Sequence, residues 1–305
     1  MKRKPDTKTH EAAPKAAARR KPGVRAESAA PSRVCAAYYV NNDIGSQARL
    51  ALAIRSLLRH TDDSLDVVVL CDSYLPAVRA AIADDLGSRK YTEVYDMEET
   101  LGDLGIYARD WHRGNWPFGA IYRLGVPLHR AFSHYDRILW MDLDVLVSSD
   151  RVRELLALDL SGCEIRAATD VSWLQDRMPA LYESMGPEYA ERLKSVMGTD
   201  ALARHYINSG VLLWNLPEIR KDLEWYRERL KMFWDLSKQG KFGYIDQDFI
   251  NAMMRVRADL ASCFNSIYTT GQHVKGVLTH YVGGQYKEFL GAALEEGILN
   301  CVKEA

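Results

Sequence analysis

The sequence predicts an α/β protein with one mixed central sheet flanked by helices, and three observations predict it. Residues 33–97 alternate strand-like and helix-like periods in the order β-α-β-α-β. The runs "RVCAAYYV" (33–40) and "LDVVVLCD" (65–72) are apolar almost throughout, as strands covered on both faces require. A later apolar run, "RILWMDLDVLV", is interrupted by Asp142 and Asp144.

Element by element, the first strand (33–40) meets a polar turn, "NNDIGS" (41–46), and then a helix with Leu50, Ile54, Leu57 and Leu58 at helical spacing. The second strand (65–72) precedes a helix over 75–87 that ends on Gly87, and 91–97 reads as a third strand. Residues 103–132 read as a loop leading into a helix rich in aromatics. The carboxylate-bearing strand follows, read as Ile138–Met141 and resuming as Val145–Val147. A short helix (151–158) and a strand (163–170) come next, with a helical excursion over 171–200. After a strand at 210–216, Pro217 opens a helix with Ile219, Leu223, Tyr226, Leu230 and Phe233 on one face. A final helix is expected over 288–303.

Composition narrows the class. At 305 residues the chain has length for one large domain with a sizeable core. Charge is uneven: residues 1–33 carry +7 and the remainder −8. The basic segment has too few large apolar residues to offset the entropy of ordering, so it reads as a disordered tail. It lacks the apolar core of a secretory signal. Its default role is a solvated tail; no nucleic-acid partner is expected, and peripheral contact with an anionic membrane surface is the alternative. No run approaches the roughly 18 apolar residues of a membrane helix. Five cysteines, odd in number and without a C-x-x-C pair, suit a reducing, cytoplasmic setting.

Two carboxylates at i and i+2 on an apolar strand face one cleft and repel each other, which a bound cation relieves; the alternative is that Asp142 closes the strand while Asp144 caps a turn or pairs with an arginine. The same letters also suit a haloacid-dehalogenase-like phosphohydrolase, whose first Asp is a nucleophile, although that motif usually sits on the first strand. Asn208 and Ser209 stand before a strand, with Gly210 allowing close backbone approach. "DQDFIN" offers Asp246 and Gln247 either as helix caps or as sugar ligands. His280 closes a strand before Gly283, Gly284 and Lys287. Beside Asp142 and Asp144 it would complete an O,O,N metal site that suits Mn²⁺ somewhat better than Mg²⁺. The glycines and Lys287 would serve a diphosphate. No G-x-G-x-x-G follows the first strand, which disfavours a nicotinamide dinucleotide.

In order, the "NND" turn, "IYRLGVP", "ILWMDLDVLV", "YINSGVLLWNL", "DQDFIN", "CFN" and "HYVGGQYK" resemble glycosyltransferase family 8 over about residues 34–290. The resemblance implies a GT-A-type, Rossmann-like single domain over 34–290, between the tail (1–33) and a C-terminal helix (291–305). It implies a retaining, metal-dependent enzyme that takes glucose or galactose from a UDP-sugar to a glycan, lipid-linked or protein acceptor. Carried over by position, Asp142, Asp144 and His280 hold Mn²⁺, and Val40, Asn42, Asp43 and Leu143 bind the nucleotide. Arg123 lies along the donor, Gly283 and Lys287 serve its diphosphate, and Asp170, Asn208, Asp246 and Gln247 bind the sugar. Gln247 is a poor nucleophile, so the resemblance favours front-face attack by the acceptor over a covalent intermediate. Three positions depart from the pattern. Ile44-Gly45-Ser46 replace an aromatic, Asn42 replaces an acid, and His280 to Lys287 is one residue longer and lacks Pro-Trp. Besides the phosphohydrolase, a non-catalytic nucleotide-sugar-binding protein is the remaining alternative.

Overall fold

The structure is a computed structural model, and it describes residues 33–110, 118–170, 177–188, 190–191, 205–239, 242–268, 275–282 and 285–298. The basic tail up to residue 32 and most of the 171–200 excursion lie outside the described residues.

In chain order the elements are β1 (Val34–Val40), α1 (Ile44–His60), β2 (Asp66–Cys71), α2 (Pro76–Leu86), β3 (Tyr91–Val94) and α3 (Met97–Gly102). Then come α4 (Tyr122–Gly125), β4 (Arg137–Met141), β5 (Val145–Val147), α5 (Val152–Leu156), β6 (Ile165–Thr169) and α6 (Arg177–Met185). The chain continues through β7 (Ile207–Asn215), α7 (Leu216–Arg220), α8 (Leu223–Ser237), α9 (Ile245–Met253), β8 (Val256–Arg257), β9 (Ser266–Ile267), β10 (Leu278–His280) and α10 (Tyr286–Glu295).

Seven strands form the expected mixed sheet in the order β3-β2-β1-β4-β7-β6-β8. β1, β2, β3 and β4 run parallel, and β7 is antiparallel to both β4 and β6. Alternate residues feed opposite faces. Ile138, Trp140, Leu212 and Trp214 join one apolar cluster, whereas Leu139, Met141, Val211 and Leu213 join the other. Both faces are therefore buried, which is why these strands read as continuous apolar runs. Among the described residues no helix is long and apolar enough to cross a membrane. Cys35, Cys71, Cys163 and Cys263 are all free thiols.

Several boundaries differ from those expected. Asp43 caps α1 by accepting from Ser46 N at 2.8 Å, so the helix starts inside the predicted polar turn. The third strand ends at Val94, and Met97 already belongs to α3. Pro127 limits α4 to four residues followed by 3₁₀ turns, in place of one aromatic helix. The long helix from Pro217 breaks at Lys221-Asp222, where Asp222 caps α8 by accepting from Trp225 N at 3.0 Å. The final helix begins at Tyr286 and ends at Glu295.

The largest correction concerns the carboxylate strand. β4 belongs to the main sheet, but β5 pairs with β10 in a separate three-stranded sheet of order β5-β10-β9. Asp142-Leu143-Asp144 is the turn between them, closed by Val145 N donating to Asp142 O at 3.2 Å. A sheet ladder cannot continue through a turn that must present two carboxylates outward, so the chain changes sheets there.

Candidate active site

The carboxyl ends of β1 and β4 open, with β7, β10 and α9, onto a cleft of about 770 Å³. Asp142 and Asp144 enter it from the turn and His280 from the end of β10; each offers a ligand atom, and these atoms lie within 4.8 Å of one another. His280 Nε2 is 3.2 Å from Asp144 Oδ1 and 4.0 Å from Asp142 Oδ2. The backbone sets this register: Asp142 N donates to Gly210 O and Tyr281 N to Asp144 O, both at 2.8 Å.

Gly210 is needed at its place. A methyl group there would lie 2.1 Å from Cε1 of the buried His280 ring. Gly210→Ala is expected to displace the imidazole and lower stability by about 1–3 kcal/mol. Thermal unfolding and metal titration of this variant would check it; an unfolding temperature and metal affinity equal to wild type would contradict the packing.

The other ring nitrogen is held as well. His280 Nδ1 is 3.2 Å from Asn265 Oδ1, so a ring that donates there presents the Nε2 lone pair to the carboxylates. Asn265 in turn donates to Asn208 Oδ1 at 2.9 Å, and Asn208 donates to Asp170 Oδ2 at 3.2 Å. Gln247 Nε2 donates to the same Asp170 oxygen at 2.9 Å, while its Oε1 accepts from Ser209 N at 2.9 Å and Ser209 Oγ at 3.1 Å. Both ends of the Gln247 amide are thereby engaged, and a continuous buried chain joins it to His280. Asn208 and Ser209 lie within β7 rather than ahead of it.

Arg123 is buried between the carboxylates. Its Nη2 donates to Asp142 Oδ1 at 2.8 Å, its Nε is 3.1 Å from Asp246 Oδ2, and its Nη1 donates to Ser209 O at 2.8 Å. Trp140 Nε1 also donates to Asp142 Oδ1, at 3.3 Å, and the guanidinium lies 4.9 Å over the Trp140 ring. Burial raises the Asp246 carboxyl above its usual range and Asp142 adds to that, against the pull of Arg123. For His280, burial opposes the charged ring, but Asp144, Asp142 and Asp170 outweigh it and raise its pKa. For Asp144, burial opposes ionisation and His280 outweighs it, lowering the pKa.

Not every expected residue reaches the cleft. Leu143, Asp43, Asn208, Asp246 and Gln247 line it. Val40 is buried in β1 and does not. Asn42 turns aside, its Oδ1 accepting from Ser73 Oγ at 2.8 Å, and Asn41 lines the cleft instead. Lys287 is exposed on the first turn of α10, outside the lining, where its neighbour Tyr286 stands. Gly283 lies outside the described residues. Asp170 lies outside the lining and accepts from Asn208 and Gln247, which are in it. Neither Asp246 nor Gln247 caps α9; both lie inside its first turn.

Sequence reasoning missed Asp248, which is fully buried. It accepts from Arg177 at 2.8 and 2.7 Å, from Tyr206 Oη at 2.7 Å, and from Gly243 N and Tyr244 N at 2.9 and 3.0 Å. It thus shapes the 243–245 wall of the cleft and ties α6 to α9. The second acid of "DQD" was its only signal, and nothing local said that it points inward.

The family model described as "Glycosyl transferase family 8" matches residues 48–287. The chain belongs to glycosyltransferase family 8. Family membership makes it a glycosyltransferase and sets the phosphohydrolase reading aside. Among solved structures it is similar to the galactosyltransferase LgtC in complex with donor and acceptor sugar analogs, at 20% identity over 88% of this chain and 98% of that one, with a TM-score of 0.60. Mouse xyloside xylosyltransferase 1 is similar at 18% identity over 84% and 99% of the two chains, TM-score 0.58. The glycosyltransferase GlyE of Streptococcus pneumoniae is similar at 16% identity over 85% of this chain and 60% of its own, TM-score 0.55. At these identities the likeness shows the fold, which is GT-A. No curated protein matches this chain.

Proposed function

We propose that this glycosyltransferase moves glucose or galactose from a UDP-sugar to a glycan, lipid-linked or protein acceptor with retention of configuration. We place it in the cytoplasm, with peripheral contact at the inner membrane surface as the secondary site. The observation that carries the reading is the buried hydrogen-bond chain from His280 to Gln247, which links the Asp142–Asp144–His280 group to the amide proposed to hold the sugar.

Two carboxylate oxygens and one imidazole nitrogen within 4.8 Å form a donor set that fits Mn²⁺, with Mg²⁺ as the second choice. When bound, such a cation supplies Lewis-acid charge to the diphosphate leaving group. The protein's own residues do the rest. Arg123 pairs with both Asp142 and Asp246 and offsets part of their charge. Gln247 cannot act as a strong nucleophile, because its carbonyl oxygen already accepts twice from Ser209. Asp246 is held by Arg123, so neither group is placed for double displacement. Front-face attack by the acceptor hydroxyl therefore suits the site, with Gln247 and Asp246 positioning the hexose and stabilising developing positive charge.

Purified protein is expected to release UDP from UDP-glucose or UDP-galactose only with a divalent cation. Protons compete with the cation for His280, whose pKa is raised, so metal affinity should climb with pH through that titration. Below the His280 pKa the slope should approach about tenfold per pH unit for one displaced proton. Metal-independent release, or a pH-independent metal affinity, would overturn the assignment.

A further inference from the structure

Four carboxylates line the cleft, from Asp43, Asp142, Asp144 and Asp246, yet a nucleoside diphosphate is itself an anion. Of the two guanidinium groups in the lining, Arg123 is already committed to Asp142 and Asp246. Arg49 has no carboxylate at ion-pair distance among the described residues. It projects from α1 and is half-buried, and it is held in place without an acid. Its Nη2 donates to Ser46 Oγ at 2.8 Å, its Nε donates to Gly45 O at 3.4 Å, and its guanidinium carbon lies 4.2 Å from the centre of the Tyr286 ring. Tyr286, 49% exposed, also lines the cleft.

We propose that Arg49, held by Ser46 and Tyr286, is the cation that binds the diphosphate of the donor in this cleft, in the place assigned by resemblance to Lys287. The assignment rests on the nucleotide-sugar reading above. Two features favour it. Arg49 lines the cleft and Lys287 does not. A guanidinium presents a planar fork of donors that matches two phosphate oxygens, whereas an ammonium is a point charge. Stacking on Tyr286 and bonding to Ser46 restrict the fork before the ligand arrives, which lowers the entropy cost of binding.

The test uses the full chain with Mn²⁺, titrated calorimetrically with UDP, and saturation-transfer NMR with uridine, which lacks phosphate. Arg49→Gln is expected to weaken UDP by about ten- to a hundredfold while changing uridine less than about twofold. Arg49→Lys should recover part of the loss, and Tyr286→Ala should weaken UDP several-fold by freeing the guanidinium. An Arg49→Gln protein that folds and binds UDP as wild type does would overturn the proposal and leave the nucleotide-sugar reading standing. Equal losses for UDP and uridine, or a larger loss in Lys287→Gln than in Arg49→Gln, would also overturn it. Failure of the wild-type protein to bind UDP at all would overturn both.

Discussion

Replacing Asp144 with Asn is expected to lower sugar transfer by at least about 10³-fold, because in the proposed mechanism the leaving-group charge then loses a cation worth several kcal/mol in the transition state. Asp144 is a cleaner probe than Asp142. Its carboxylate contacts His280, whereas Asp142 also holds Arg123 and Trp140, so that loss of Asp142 leaves a buried guanidinium short of a partner. The Asn side chain keeps the volume and the turn between β4 and β5, since both backbone bonds of that turn use main-chain atoms. The expected result is a folded protein with weakened metal binding and little transfer. Near-wild-type turnover in this variant would sink the cation site.

Replacing Glu164 with Ala is expected to cost about 3–5 kcal/mol of stability, the range for breaking one side of a buried ion pair. Glu164 and Arg229 are both almost fully buried. The guanidinium reaches the two carboxylate oxygens at 2.9 and 2.7 Å and also donates to Met253 O. Glu164 accepts a further bond from Arg255 N at 2.8 Å, just before β8. One carboxylate thus ties α8, the end of α9 and the β6–β8 edge together, and its loss strands a buried cation. Denaturant unfolding measures the effect. A change below about 1 kcal/mol, typical of an exposed pair, would show that the charges are solvated.

These two sites differ in how visible they were beforehand. Asp144 stood out because an i, i+2 acid pair on an apolar run is costly without a partner. Glu164 sits in "CEIRAATD", where a single acid at a strand start looks like ordinary surface. Asp248 is hidden in the same way, one residue beyond Asp246 and Gln247 in "DQD". A local pattern shows that a charge exists and what its neighbours are in sequence. It does not show which distant guanidinium meets it, and Arg229 and Arg177 lie 65 and 71 residues away from their acids.

The sheet was legible for the opposite reason. Burial on both faces demands apolar residues at every position of a strand, a signal carried by each run on its own, so β1, β2, β4 and β7 were placed within a few residues. The ends of elements were less legible, because they turn on single caps such as Asp43 and Asp222 or on one proline such as Pro127.

By itself the sequence determined the α/β class, the approximate order of strands and helices, and the residue types proposed for a cation site and a sugar site. Only the tertiary structure decided that the acid pair is a turn joining two sheets, that Gly210 makes room for the His280 ring, and that Arg49 rather than Lys287 lines the cleft. The reason is physical. Periodicity and burial are properties of short segments, whereas which charge faces which depends on loop closure between segments far apart in the chain.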